Sequence, residues 1–122
     1  MPKQIPDHLD FVGSGWHPLL QKLHTELLAV SPTYSVQQVK EKYGTLRVYL
    51  LTGMLRHLEK GNSDWPDSDQ AARYEVEDDA ARALVRAAEQ ESARTCESCG
   101  NPGVLRERAW LKTLCDACAA PR

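Results

Sequence analysis

The residues of this chain with the clearest chemistry are four cysteines near its end. They stand as Cys96-Glu97-Ser98-Cys99 and Cys115-Asp116-Ala117-Cys118, with fifteen residues between the pairs. Each C-x2-C can bend into a knuckle and offer two thiolates, and two such pairs close a tetrahedron of sulfur around one Zn2+. Free thiols or disulfides are the competing reading, but every cysteine falls inside the metal pattern and none is left over, which suits a reducing compartment. A site of four thiolates has no open position for water or substrate, so the zinc expected here is structural. Gly100 lets the chain leave the first knuckle, Asn101, Pro102 and Gly103 form a turn, and Val104 to Leu114 returns as a short hairpin. Zinc ribbon and treble clef remain equally open for residues 95–122.

No other catalytic constellation emerges. The cysteines are committed to metal, none of the four histidines has a motif partner, and neither a P-loop nor a dinucleotide fingerprint is present. His24 lies beside an apolar stripe and is expected to be a boundary polar residue. The acidic run Glu75, Glu77, Asp78 and Asp79 lacks the spaced ligands of a calcium loop, and is expected to be a solvated helix face. No catalytic residue is assigned.

The elements that must carry the cysteines form an α+β domain over residues 1–94, followed by the finger at 95–122. Residues 1–13, with two prolines and few apolar side chains, suggest a loosely ordered arm. Trp16, Leu19, Leu20, Leu23, Leu27 and Leu28 recur at helical spacing and predict a helix over 16–30, with Pro18 in its first turn and Pro32 ending it. A hairpin is expected over 34–51, turning at a Gly44-containing loop. Leu46, Val48 and Leu50 should face the helix, and Arg47 and Tyr49 the other side. Lys40, Lys42 and Arg47 then gather near the hairpin tip, either as a contact patch for an acidic partner or as a solvated charged face. A short helix from Thr52 to Lys60, closed by Gly61, competes with continuation of the strand. Residues 61–68 form a loop in which Trp65 either folds back on its own domain, the expected outcome, or anchors an interface. Asp69 to Arg94, rich in Ala, Glu and Arg, predicts one long helix of roughly 39 Å running straight into Cys96. Its apolar stripe is thin (Tyr74, Ala81, Leu84, Val85, Ala88), and it could also pair with a second copy of itself in a homodimer.

Composition sets the outer limits. The chain has 122 residues, 42% hydrophobic and 26% charged, as an ordinary globular protein does. Its formal net charge of -2 divides into +2 over residues 1–60, -5 over 61–94 and +1 over 95–122. No dense Lys/Arg stripe of the kind that grips a duplex appears, so nucleic acid is a disfavoured partner. No apolar run approaches the roughly twenty residues of a membrane span, and the opening residues lack a signal-peptide core, so a soluble cytoplasmic protein is expected.

Two resemblances can be stated on particular residues. Cys96-Glu97-Ser98-Cys99-Gly100-Asn101-Pro102, Arg106, Arg108 and Thr113-Leu114-Cys115-Asp116-Ala117-Cys118 resemble the zinc finger of the plasmid- and phage-borne transcription regulators of the TraR and DksA type. The cysteine separation is two residues shorter than is usual in that family. The resemblance implies a regulator of RNA polymerase, and Asp78-Asp79 resembles its acidic tip. Asp79, however, lies only about 25 Å of helix before Cys96 and is preceded by a whole domain. Over the whole chain, Gly15-Trp16-His17-Pro18-Leu19, the stretch Val39 to Tyr49 and Trp110 to Cys115 resemble small phage and prophage proteins of unknown function, which implies an accessory acting on a host component.

Three classes of function follow. The leading one is a non-enzymatic accessory that binds a host protein or complex, in transcription or defence, with zinc as scaffold and contacts from Lys40, Lys42 and Arg47 at the hairpin tip, from Trp110 and from the finger. The second is a regulator touching polymerase or DNA through Arg106, Arg108 and Lys112. A metal-dependent enzyme comes last.

Overall fold

The computed structural model describes residues 3–61 and 64–120; Asn62 and Ser63 of the expected loop, and both extreme ends, lie outside the described residues. In chain order the architecture is α+β. A 3₁₀ segment Ile5–Phe11 leads through a 3₁₀ turn at Ser14–Trp16 into helix α1 (His17–Val30). Strands β1 (Ser35–Lys42) and β2 (Thr45–Leu51) follow, then helix α2 (Gly53–Glu59), long helix α3 (Ser68–Ser92), strands β3 (Val104–Glu107) and β4 (Leu111–Leu114), and helix α4 (Asp116–Ala119).

α1 forms where the leucine periodicity places it. Trp16, Leu19, Leu20, Leu23 and Leu27 are buried along one face, while Leu28 turns partly to solvent. β1 and β2 pair antiparallel, Lys40 opposite Arg47 and Lys42 opposite Thr45, with an irregularity between Val36 and Gln38. Tyr43 (φ 55°) and Gly44 (φ 85°) both take positive φ at the turn. This is the left-handed geometry that a two-residue hairpin needs to match strand twist. Val39, Leu46 and Val48 point inward and join the α1 leucines, Tyr34, Ala81 and Ala88 in one core.

α3 starts at Asp67, whose carboxylate accepts from the Gln70 N–H at 2.8 Å. That cap satisfies one of the helix's unpaired first-turn donors. α3 lies across both α1 and the open edge of β2, and closes that edge with polar side chains. Ser92 Oγ accepts from Leu46 N–H at 2.9 Å, and Glu89 from Val48 N–H at 3.1 Å. Glu77 accepts from Ser31 Oγ and from Gly53 N–H, and Asp78 from Thr52 Oγ1 at 2.5 Å. The acidic run is therefore not simply a solvated face: two of its four members bind the backbone and hydroxyls where α1 and β2 end.

Two other expectations are corrected. Residues 5–11 are not a loose arm, because Ile5 is wholly buried in the core and its N–H donates to the Tyr34 hydroxyl at 3.0 Å. The two prolines suggested an irregular chain, yet one apolar anchor and one buried acceptor suffice to fix it. Trp65 does not fold back on the domain; it is 75% exposed.

Candidate metal centre

The first knuckle is built by local backbone bonds. Gly100, at φ 86°, lets the chain turn so that its N–H donates to Cys96 O at 2.9 Å, while Cys96 N–H donates to Asn101 O at 2.7 Å. β3 and β4 then pair from Val104 opposite Leu114 to Glu107 opposite Leu111. The second cysteine pair lies in the first turn of α4, where Cys115 Sγ accepts from the Cys118 N–H at 3.4 Å. The finger thus combines one knuckle, one hairpin and one ligand-bearing helical turn.

The four sulfurs of Cys96, Cys99, Cys115 and Cys118 lie within 4.8 Å of one another, and Cys99 and Cys115 are 3.6 Å apart. A tetrahedron with Zn–S bonds of about 2.3 Å has sulfur–sulfur edges of about 3.8 Å, whereas a disulfide requires about 2.05 Å. All four cysteines are free thiols. Their acidities agree with a site made for a cation. Burial acts to raise the Cys96 thiol, but backbone N–H groups of Cys115, Cys99 and Ser98 outweigh it and hold the thiol down at about 6. The Cys118 thiol, crowded first by Cys115 and then by Cys99 and Cys96, is pushed up to about 12. Four sulfurs this close cannot all ionise unless a cation offsets their repulsion. Donor type, number and spacing fit one Zn2+, held by Cys96, Cys99, Cys115 and Cys118 as a structural ion.

The finger is not only mounted on the end of α3. Glu97 N–H donates to Thr113 O at 3.0 Å, joining knuckle to β4. Thr113, fully buried, donates its hydroxyl to Gly44 O at 2.6 Å, joining β4 to the tip of the β1–β2 hairpin. On the other side, Gly15 N–H donates to Glu97 O at 2.7 Å and the Trp16 indole to Thr95 O at 2.9 Å. The Thr113–Gly44 and Trp16–Thr95 bonds join groups 69 and 79 residues apart, and no local pattern in the sequence announces them. The two glycines flanking Ser14 were the available signal.

The seven candidate partner-binding residues fall into two groups. Lys40, Lys42 and Arg47 share the outward face of the β1–β2 hairpin, where Lys40 lies 5.6 Å over the Tyr49 ring, Lys42 lies 5.5 Å over Tyr43, and Arg47 is 4.0 Å from Glu89. In the finger, Arg106 pairs with Asp116 at 2.7 Å and Arg108 donates to the Ala119 carbonyl. Lys112 approaches buried Glu97 at 3.7 Å. Trp110, at the β3–β4 turn, is 66% exposed. His24 meets the Tyr34 hydroxyl at 2.5 Å and is not one of the clustered ligands.

Among the described residues no helix is long and apolar enough to cross a membrane. Comparison of the chain with protein-family models, with the curated proteins and with the solved structures returns no match.

Proposed function

We propose that this chain is a small cytoplasmic, non-enzymatic accessory protein of phage or prophage type that works by binding a host protein complex of the transcription or defence machinery. One structural zinc holds its recognition surface in place. The observation that carries this reading is the donor set: four sulfurs within 4.8 Å of one another would supply every ligand of a tetrahedral ion, leaving no coordination position for substrate. Two large aromatic side chains, Tyr43 at 68% and Trp110 at 66% exposure, support recognition, since aromatic anchors are enriched in protein interfaces. The motif resemblance to small phage proteins supports a host component as the partner.

A regulator contacting polymerase or DNA has less support. Asp78 is engaged by Thr52, and the finger arginines are occupied by Asp116 and the Ala119 carbonyl.

Elemental analysis of the purified chain, followed by affinity capture of host proteins with wild type, Trp110→Ala and Arg47→Glu, tests the proposal. One equivalent of zinc, and a defined captured complex lost in either variant, is the expected result. Absence of zinc, or identical captures from all three proteins, overturns it.

A further inference from the structure

We propose that the segment Gly13–Trp16 is a supporting wall of the metal site, so that zinc affinity and the order of the α1 N-terminus are two measures of one coupling; this rests on the four-thiolate reading above. Four bonds tie the segment to the first knuckle. Gly15 N–H donates to Glu97 O at 2.7 Å, the Trp16 indole to Thr95 O at 2.9 Å, Gly13 N–H to the Glu97 carboxylate at 3.1 Å and Ser14 Oγ to Ser98 O at 3.3 Å. The fit is also steric. A Cβ on Gly15 would overlap the Cys96 carbonyl oxygen and lie 2.6 Å from both Glu97 O and Gly100 N. One methyl group is therefore enough to prevent this docking.

The knuckle's own burial agrees. Cys96 and Trp16 are wholly buried, and Glu97, buried beside Cys96, spans from Gly13 N–H to Lys112. Glu97 acts as a positioning residue: it touches no metal but fixes the backbone that presents Cys96 and Cys99. Groups that hold a ligand's backbone in place raise metal affinity because the ordering is already done before the ion arrives. The coupling must be reciprocal, since whatever strengthens zinc binding through the docked segment is strengthened by zinc in turn. Trp16 leads directly into the leucine face of α1, so the effect extends from the sulfurs into the domain core.

Full-length Gly15→Ala tests this cleanly, because residue 15 lies in a 3₁₀ turn that alanine tolerates and the finger sequence is untouched. Zinc affinity is measured by competition with a chromophoric chelator, and backbone order by amide exchange. Gly15→Ala should bind zinc about tenfold more weakly. Chelation of the wild type should lower protection across residues 14–20 by about tenfold while the paired Lys40 and Arg47 keep theirs. Glu97→Gln, which keeps an acceptor for Gly13 N–H but loses the charge facing Lys112, should weaken zinc by about threefold and leave the four-sulfur Co2+ spectrum unchanged.

A folded Gly15→Ala within about twofold of wild-type affinity overturns the proposal, as does wild-type protection at 14–20 that ignores chelation. Should Gly15→Ala fail to fold, the wild-type exchange experiment decides alone. A wild type that binds no zinc defeats the four-thiolate reading itself, whereas one equivalent of zinc without coupling defeats only this inference.

Discussion

The described residues form two antiparallel hairpins, and they are held by different forces. In β1–β2, strands of eight and seven residues bury Val39, Leu46 and Val48 in a shared core. Each such side chain contributes roughly 1.5–3 kcal/mol on burial. In β3–β4 the strands have four residues each, and no residue of β3 is buried. That short hairpin rests on Thr113 and Leu114, which turn inward, and on the four clustered cysteines that flank its open end. Hairpin topology is thus no guide to what stabilises it: one follows from apolar burial, the other from a few long-range polar bonds and four cysteines spaced to hold a metal.

The strongest way to separate the two is to remove one sulfur. Cys115→Ser should abolish stoichiometric zinc and the amide-exchange protection of residues 96–118, because structural zinc binding is worth on the order of 10 kcal/mol to such a module. The hairpin protons of the Lys40–Arg47 pair should stay protected; their joint loss would show that the hairpins stand or fall together. Next in size, Leu46→Ala should cost about 3 kcal/mol in urea denaturation, whereas Val104→Ala should cost less than about 0.5 kcal/mol. Equal costs would break the comparison. Trp110→Ala should likewise leave stability within about 0.5 kcal/mol while reducing partner capture, which would show that the finger hairpin serves recognition without carrying the fold.

A pH-dependent effect belongs to the start of the body hairpin. Burial, opposed by the Ile5 N–H and aided by the charge of Asp7, pushes the Tyr34 hydroxyl up to about 12. The folded state therefore keeps the phenol proton more tightly than the unfolded chain, whose tyrosine titrates near 10. This contribution is fully present below about pH 10 and is lost as pH rises toward about 12. Tyr34→Phe should make stability fall less steeply across that interval, and an unchanged slope in pH-dependent denaturation would contradict it.

How much of this was legible in the sequence depends on the range of the interaction. Leucine spacing in α1, alternation in β2 and the Ala-rich run of α3 are local patterns, and the elements appear within a residue or two of where those patterns place them. The four cysteines were legible for the same reason, since metal spacing is itself a short-range signal. The docking of Gly13–Trp16 on the knuckle, the Thr113–Gly44 bond and the burial of Ile5 join residues far apart in the chain, and no local pattern encodes them. The acidic run was misjudged because carboxylates that bind backbone N–H groups and those that face water look alike until the neighbouring strand is in place.

The way α3 closes β2 has a consequence for behaviour in concentrated solution. An unpaired strand edge is a template on which another molecule can add its own strand and begin an aggregate. Here Ser92 and Glu89 already occupy the donors of Leu46 and Val48. The long helix therefore keeps neighbouring chains from extending the sheet along its β2 side.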